Sequence, residues 1–255
     1  MAVLYVASEA SELKPFAAHL TNLRALKWPV DYAMEGVLEG RRVLLAANGA
    51  GPELAARAVE VAVRAVTAAE LSASRLEAVI SVGYCGALAP DLRENTIVIA
   101  TEVLDRVTGA AFPCVVPLLE ADVAKGKLIS QNRVAVTLQD KAELAGTGAI
   151  AVDMESSGAA ARTQRAGLPF LCIKVVLDRA DEMFHLDLNA MRTREGRMNR
   201  GRIVAYAVTH PWLFPELLRL KRRAAGAATA LGEFLVTSRI DFGQNIAPAD
   251  TLASE

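Results

Sequence analysis

The 255-residue sequence predicts a single α/β domain, a mixed central β-sheet flanked by helices. Three observations carry that expectation. Short apolar runs alternate with longer stretches of helical periodicity, glycine-rich turns stand between them, and no internal repeat divides the chain. The apolar residues, 53% of the chain with only 5% aromatic, are mostly Ala, Val and Leu, which suits a buried sheet under closely packed helices.

Residues 3–7 read as a buried strand, followed by a helix over 11–26 with Ser11 as its cap. Residues 37–38 and 42–47 flank the turn Glu39-Gly40 and predict a hairpin. Asn48-Gly49-Ala50-Gly51 is a flexible turn. Pro52 then opens an Ala/Val-rich helix, where its missing N–H costs no helical bond. Residues 78–82, 96–100, 127–130 and 150–152 predict strands, and the last feeds a helix reaching Arg165. Gly167-Leu168-Pro169 ends that helix before a buried strand over 170–176, completing a βαβ pattern. Residues 192–202 are basic and expected to be exposed. His210-Pro211 breaks the chain, and 212–235 predict one long basic amphipathic helix with Pro215 in its first turn. The domain is thus expected over 1–237, with 238–255 a flexible tail.

Composition excludes several classes. With 28 basic against 29 acidic residues, no basic surplus favours nucleic acid. The apolar run at the N-terminus is too short for a signal peptide, and none reaches the roughly 18 residues of a spanning helix. A cytoplasmic protein is expected. Cys85, Cys114 and Cys172 are odd in number and lack CxxC spacing, as in a reducing compartment, where they read as small core residues. His19, His185 and His210 are too dispersed for a zinc site, and no metal or organic cofactor is expected. The helix over 212–235 is expected to cover the sheet edge, with weak contact to a membrane surface as the other reading of its basic amphipathic face.

In an open α/β sheet, ligands bind beyond the carboxyl ends of strands. That rule gathers Glu9 and Glu12, the 48–51 turn, residues 83–86, Asp153 and Glu155 in "AVDMESSGAAA", and Asp178 with Asp181, all expected along one edge. Taken singly, each has a structural reading: a strand-ending turn, a helix cap, or a first-turn acid favoured by the helix dipole. Gly49-Ala50-Gly51 is not a GxGxxG dinucleotide motif.

Four of these segments, in collinear order, resemble one family. "AVDMESSGAAA" is similar to the ribose-binding stretch of the nucleoside phosphorylase and nucleosidase superfamily, whose hydrolase branch, typified by methylthioadenosine/S-adenosylhomocysteine nucleosidase, has Met-Glu at this place. "SVGYCGALAPDLRENTIVIA" resembles its glycine-rich strand end and following strand, "VLDRADE" its catalytic-acid segment, and "ASEASEL" its acidic cluster. The resemblance covers roughly residues 1–190. It implies Asp178 as the acid beside N7 of the base and Glu12 as the residue that activates water. It further implies Glu155 as acceptor for the ribose 2′- and 3′-hydroxyls, with Met154 against the sugar. Gly83, Lys174 and Val134 would complete the substrate site.

Such chemistry suits those residue types, because N-ribosidic cleavage leaves a cationic sugar and a departing purine that needs a proton. Ser81 and Tyr84 stand where the hexameric phosphorylases carry Arg and Ser for phosphate, and Glu53 would repel an anion, so water is the expected nucleophile. Three departures stand out: Leu177 where Ser usually precedes the acid, Lys174 in place of Arg, and Val134 near the usual base-stacking aromatic. Residues 140–235 are similar to hopanoid-associated members implicated in removing adenine from adenosylhopane. The expected function is hydrolysis of a 5′-substituted adenosine such as methylthioadenosine, S-adenosylhomocysteine or adenosylhopane, by a homodimer. The alternatives are a phosphate-dependent purine nucleoside phosphorylase and a non-catalytic nucleoside sensor. Asp153 is expected to be a cap or helix-start charge.

Overall fold

The structure, a computed structural model, describes residues 1–68, 75–119, 122–193, 197, 199–238 and 240. Most of the tail expected from residue 238 lies outside these residues.

The strand β1 (Ala2–Ala7) is buried along its whole length and pairs in parallel with β4 (Arg41–Ala47) on one side and β5 (Leu76–Ser81) on the other. Its residues alternate between two cores, as a period of two requires. Ala2, Leu4 and Val6 face α2 (Pro52–Thr67) and α4 (Ser156–Arg165), while Val3, Tyr5 and Ala7 face α1 (Ala10–Ala17) and α6 (Phe214–Thr237). A mixed sheet between two helical layers results, as the sequence predicts. Small residues let those layers close: a Cβ at Gly158 of α4 would lie 1.8 Å from the carbonyl oxygen of Pro52 at the start of α2.

On the far side of β4, β3 (Tyr32–Leu38) forms the expected hairpin, with Glu39 and Gly40 both at positive φ, as a tight two-residue turn demands. The first helix is shorter than its periodicity suggests. Residues 21–25 instead form β2 (Thr21–Ala25), an exposed edge strand paired antiparallel to β3 and tied to it by an Arg24–Glu35 ion pair. A free sheet edge here overrides helical propensity.

Beyond β5 the sheet continues through β11 (Phe170–Asp178), β6 (Tyr84–Ala87), β10 (Ala151–Asp153), β9 (Ala124–Ser130) and β7 (Ile97–Asp105), ending at β8 (Ala111–Pro113). It also curls: β7 pairs back onto β11 as well as onto β9, so β11, β6, β10, β9 and β7 close into a ring. β10 is antiparallel to β6, which is parallel to β11, so β10 and β11 run in opposite senses. Short elements escape a reading by periodicity. Besides β2, β6 and β8, these are α3 (Leu138–Ala145), held by a capping box between Thr137 and Asp140, and α5 (Arg200–Thr209), which starts at the end of the basic segment.

α6 covers a face of the sheet and not its edge, packing Leu231, Phe234 and Leu235 into the core with Phe16 of α1. Cys85 and Cys172 are buried and Cys114 half-buried, and all three are free thiols. Among the described residues no helix is long and apolar enough to cross a membrane.

Candidate active site

Glu12 enters from the first turn of α1 and is only 3% exposed. Its carboxylate accepts from Ser8 Oγ at 2.8 Å and from Ser8 N at 3.4 Å, so the turn after β1 holds it in place. Gly83 makes room for it. With φ at +123°, a Cβ there would lie 2.1 Å from Glu12 Oε2, so a side chain is excluded by strain and by space. Burial pushes the Glu12 pKa up to about 7, against opposing pulls from Ser8 and Lys174.

Lys174, in the middle of β11, is fully buried. Its ammonium donates to the Val82 carbonyl at 3.1 Å and pairs with Asp153 Oδ2 at 2.9 Å. The side chain therefore lies behind the site, and the direct substrate contact expected of Lys174 gives way to a supporting role. Burial pulls the ammonium's pKa down, but Asp153, Cys172 and Glu155 outweigh it and the net shift is upward.

Asp153 has a second role beside the one expected of it. It does accept from Ser156 N at 3.0 Å and from Ser156 Oγ, as a helix-start acid would, but it is also the buried counter-ion of Lys174. Because β10 runs against β11, Asp153 meets the middle of that strand and not its end. Glu155, two residues on, is 8% exposed and accepts from Gly51 N at 3.3 Å, which ties it to the turn before α2. Burial and then the Asp153 charge push its pKa up to about 8. Met154 between them is half-buried.

Asp178 ends β11 and is 7% exposed. Burial raises its pKa, opposed by a partner not anticipated from sequence: Lys141 of α3 donates to Asp178 Oδ2 at 2.5 Å and also to the Arg179 carbonyl. Asp181 is exposed and pairs with Arg179, so it does not join the site. Among the carboxylates expected along one edge, Asp153 thus pairs with Lys174 and Asp178 with Lys141.

Val134 is half-buried, and both its backbone groups are engaged by one side chain. Asn189 Oδ1 accepts from Val134 N at 2.8 Å, and Asn189 Nδ2 donates to Val134 O at 3.0 Å. A cavity of about 370 Å³ next to Gly51 is lined by Asn132, Arg133, Asn189 and Arg192, among others, and so adjoins Glu155 through the Gly51 N–H. Arg192 reaches Asn132 O, Asn132 Oδ1 and Ala50 O. Lys141, Asn189 and Arg192 were not singled out from sequence. The only local signal was the Thr137-x-x-Asp140 box that marks the start of α3.

The positions that would hold phosphate in a phosphorylase are turned inward. Ser81 is fully buried with its Oγ 3.2 Å from Ser156 Oγ, and the Tyr84 hydroxyl donates to the Ala224 carbonyl of α6 at 2.9 Å. Among the described residues, no group of three or more His, Cys, Asp or Glu is placed to hold a metal ion.

The phosphorylase superfamily matches residues 2–135, more than half of the sequence, and the chain belongs to that family. Solved structures share the fold over 92% of this chain. The 5′-methylthioadenosine/S-adenosylhomocysteine nucleosidase of Neisseria meningitidis, in complex with methylthio-immucillin-A, is 22% identical over 98% of its own length, with a TM-score of 0.66. The corresponding nucleosidase of Streptococcus pneumoniae, with a transition-state inhibitor, is 16% identical over 97% of its length at the same TM-score of 0.66. A futalosine hydrolase mutant of Helicobacter pylori is 13% identical over 96% of its length, again with a TM-score of 0.66. Comparison with curated protein sequences gives no match.

Proposed function

We propose that the protein is an N-ribosyl hydrolase that releases adenine from a 5′-substituted adenosine. The observation that carries this reading lies at the nucleophile. Glu12 puts a buried carboxyl at the proposed nucleophile position, and the hydroxyls of Ser81 and Tyr84 are both engaged within the protein.

In this mechanism the C1′–N9 bond breaks and its electron pair passes to the purine, which takes the Asp178 carboxyl proton at N7. Burial, which raises the pKa of Asp178, favours the protonated carboxyl that this step requires. The sugar becomes oxocarbenium-like. Glu155 accepts hydrogen bonds from the 2′- and 3′-hydroxyls, and those donors favour its ionised form, placing negative charge beside the cation. Met154 packs against the sugar. Water attacks C1′ and gives its proton to Glu12, whose pKa of about 7 suits a general base near neutral pH.

The test is incubation with adenosine derivatives, with and without phosphate, followed by chromatography. Adenine with free sugar supports the hydrolase. A sugar 1-phosphate formed only with phosphate establishes a phosphorylase, a reading favoured by one observation, the Arg192 guanidinium at the cavity beside Gly51. Retained nucleoside without product establishes a sensor. The same assay across 5′ substituents, from methylthio to a hopanoid chain, sets the substrate.

The proposal extends to a cytoplasmic homodimer and to weak contact with a membrane surface through the start of α6. There, exposed Trp212, Phe214 and Leu218 sit beside exposed Arg219, Lys221 and Arg222. Sedimentation tests the dimer, and flotation with anionic vesicles tests the contact.

A further inference from the structure

Lys141 is 2% exposed, a burial that lysine adopts only with a reason. Its ammonium meets two acceptors, Asp178 Oδ2 at 2.5 Å and the carbonyl of Arg179. Both belong to the segment that closes β11. No described residue hydrogen-bonds the other carboxyl oxygen, Asp178 Oδ1. The helix that carries the lysine is fixed at its start: Thr137 and Asp140 cap each other's backbone N–H, and Arg133 pairs with Asp140. Opposite, Gly86 of β6 lies so close that a Cβ there would be 3.1 Å from Oδ2 and 3.4 Å from Oδ1. The Asp178 carboxyl is thus clamped between a cation and a glycine, with one oxygen left over.

We propose that Lys141 is the positioning residue of the leaving-group acid: it grips Asp178 Oδ2, presents Oδ1 to the departing base, and sets the pH range over which Oδ1 carries a proton. This inference rests on the proposed hydrolase reading. When the glycosidic bond breaks, the electron pair goes to the purine, the Oδ1 proton goes to N7, and the resulting carboxylate is neutralised by the Lys141 ammonium until solvent returns a proton. No other reactant is required.

The remaining groups facing Asp178 are few. Among the described residues, Glu182, in the segment after β11, opposes Lys141, Arg223 of α6 reinforces it, and Cys85 of β6 also faces the Asp178 charge. Arg223 is held in turn by Glu182, at 2.8 and 2.9 Å, and by Glu94 at 2.7 Å, so its charge is largely answered. Lys141 is the direct hydrogen-bonding cation.

The sign follows from that geometry. An ammonium beside a carboxyl favours its ionised form, so Lys141 lowers the pH at which Asp178 gives up its proton. Removing the lysine leaves burial unopposed by it, and the alkaline limb of the pH–rate profile, where the acid is lost, moves to higher pH.

The experiment measures kcat and KM against pH for wild type, Lys141→Met and Lys141→Arg. It uses two substrates: methylthioadenosine, whose base must be protonated to leave, and p-nitrophenyl β-D-ribofuranoside, whose leaving group needs no proton. We expect Lys141→Met to lower kcat on methylthioadenosine by about tenfold or more with little change in KM. Its alkaline limb should shift upward, and the p-nitrophenyl riboside should be cleaved at close to the wild-type rate. Lys141→Arg, which keeps the charge, should return the limb toward wild type.

Equal losses on both substrates with an unmoved limb would mean a merely structural lysine and overturn the inference. If Lys141→Met fails to fold, Lys141→Gln and the ¹³C-carboxyl titration of Asp178 decide. An alkaline limb and an Asp178 titration midpoint that both stay at their wild-type values in Lys141→Gln overturn it. Wild type that cleaves neither substrate overturns the hydrolase reading itself, a result distinct from every outcome above.

Discussion

The two ends of the proposed site are built by different means. At the sugar end, Glu12, Lys174, Asp153 and Glu155 sit on strands or within a few residues of them, and each is fixed by another: Ser8 holds Glu12, Asp153 holds Lys174, and the Gly51 N–H holds Glu155. At the base end, only Asp178 belongs to a central strand. The charged groups around it come from the short helix α3, from the segment after β11 and from α6. On the proposed reading, the sheet would supply the part of the reaction common to any riboside, and connecting segments what distinguishes one leaving group from another. Fixed geometry is needed most where charge develops, and segments outside the sheet can change without disturbing it.

That division is open to direct attack. The largest effect is expected at the sugar end, where Glu12→Gln should lower kcat by about 10²–10⁴-fold for every substrate, whatever its leaving group, while nucleoside binding persists. Adenine release and p-nitrophenol release must fall together. Asp178→Asn should cause a comparable loss for methylthioadenosine alone. If Asp178→Asn slowed the p-nitrophenyl riboside as severely, the two ends would not be separable and the comparison would be lost.

Next in size is the buried pair. Lys174→Met leaves Asp153 with no counter-ion in a site where both side chains are fully buried, and breaking such a pair costs about 3–5 kcal/mol. Denaturant unfolding should show it as a lower midpoint at unchanged slope. Adding Asp153→Asn should recover part of the loss, since a neutral amide needs no counter-ion. A single variant as stable as wild type would show that the cluster is not the rigid frame described above.

A smaller, continuous effect comes from pH. Folding raises the Glu12 pKa from its ordinary 4.5 to about 7, so its contribution to stability is complete below 4.5 and is lost as pH rises through 7. Glu155, raised to about 8, acts in the same direction over a wider window. Stability of the protein without substrate should fall between these limits, on the order of 3 kcal/mol from Glu12 alone. Glu12→Gln should flatten the curve. Turnover should instead rise through pH 7 as Glu12 ionises and becomes a base, so stability and activity run in opposite directions over the same range.

The same contrast explains what could be read from the sequence. Glu12, Glu155 and Asp178 each stand at the join between an apolar run and a polar one, and that join is where a strand delivers its residues to solvent or a pocket. Lys174 is visible as a lone charge inside the apolar run "FLCIKVVLD", although not its counter-ion. What failed was direction. Nothing local in "AVD" reveals that β10 runs against β11, since the closing of the sheet through β7 and β9 decides it. Lys141 failed for a related reason. It is one polar residue in the weakly amphipathic helix "LQDKAELA", and its partner lies 37 residues away. The edge strand β2 was read as helix because pairing with β3, not its own composition, makes it extended.

The smallest expected effect tests the base end most finely. Asn189 offers Val134 an acceptor and a donor side by side, and both backbone groups of Val134 are engaged by that one carboxamide. A purine carries acceptor and donor groups along its own edge, so Asn189 and a bound base would compete for the same backbone. Asn189→Ala removes the competitor but also two hydrogen bonds, each contributing about 1 kcal/mol. We therefore expect a modest loss of stability together with a KM for methylthioadenosine that falls by a few-fold, kcat remaining within about twofold of wild type. If the carboxamide instead orders the segment for the substrate, KM rises. A rise would place Asn189 among the groups that build the base end, beside Lys141, and would make that end as preformed as the sugar end it is contrasted with.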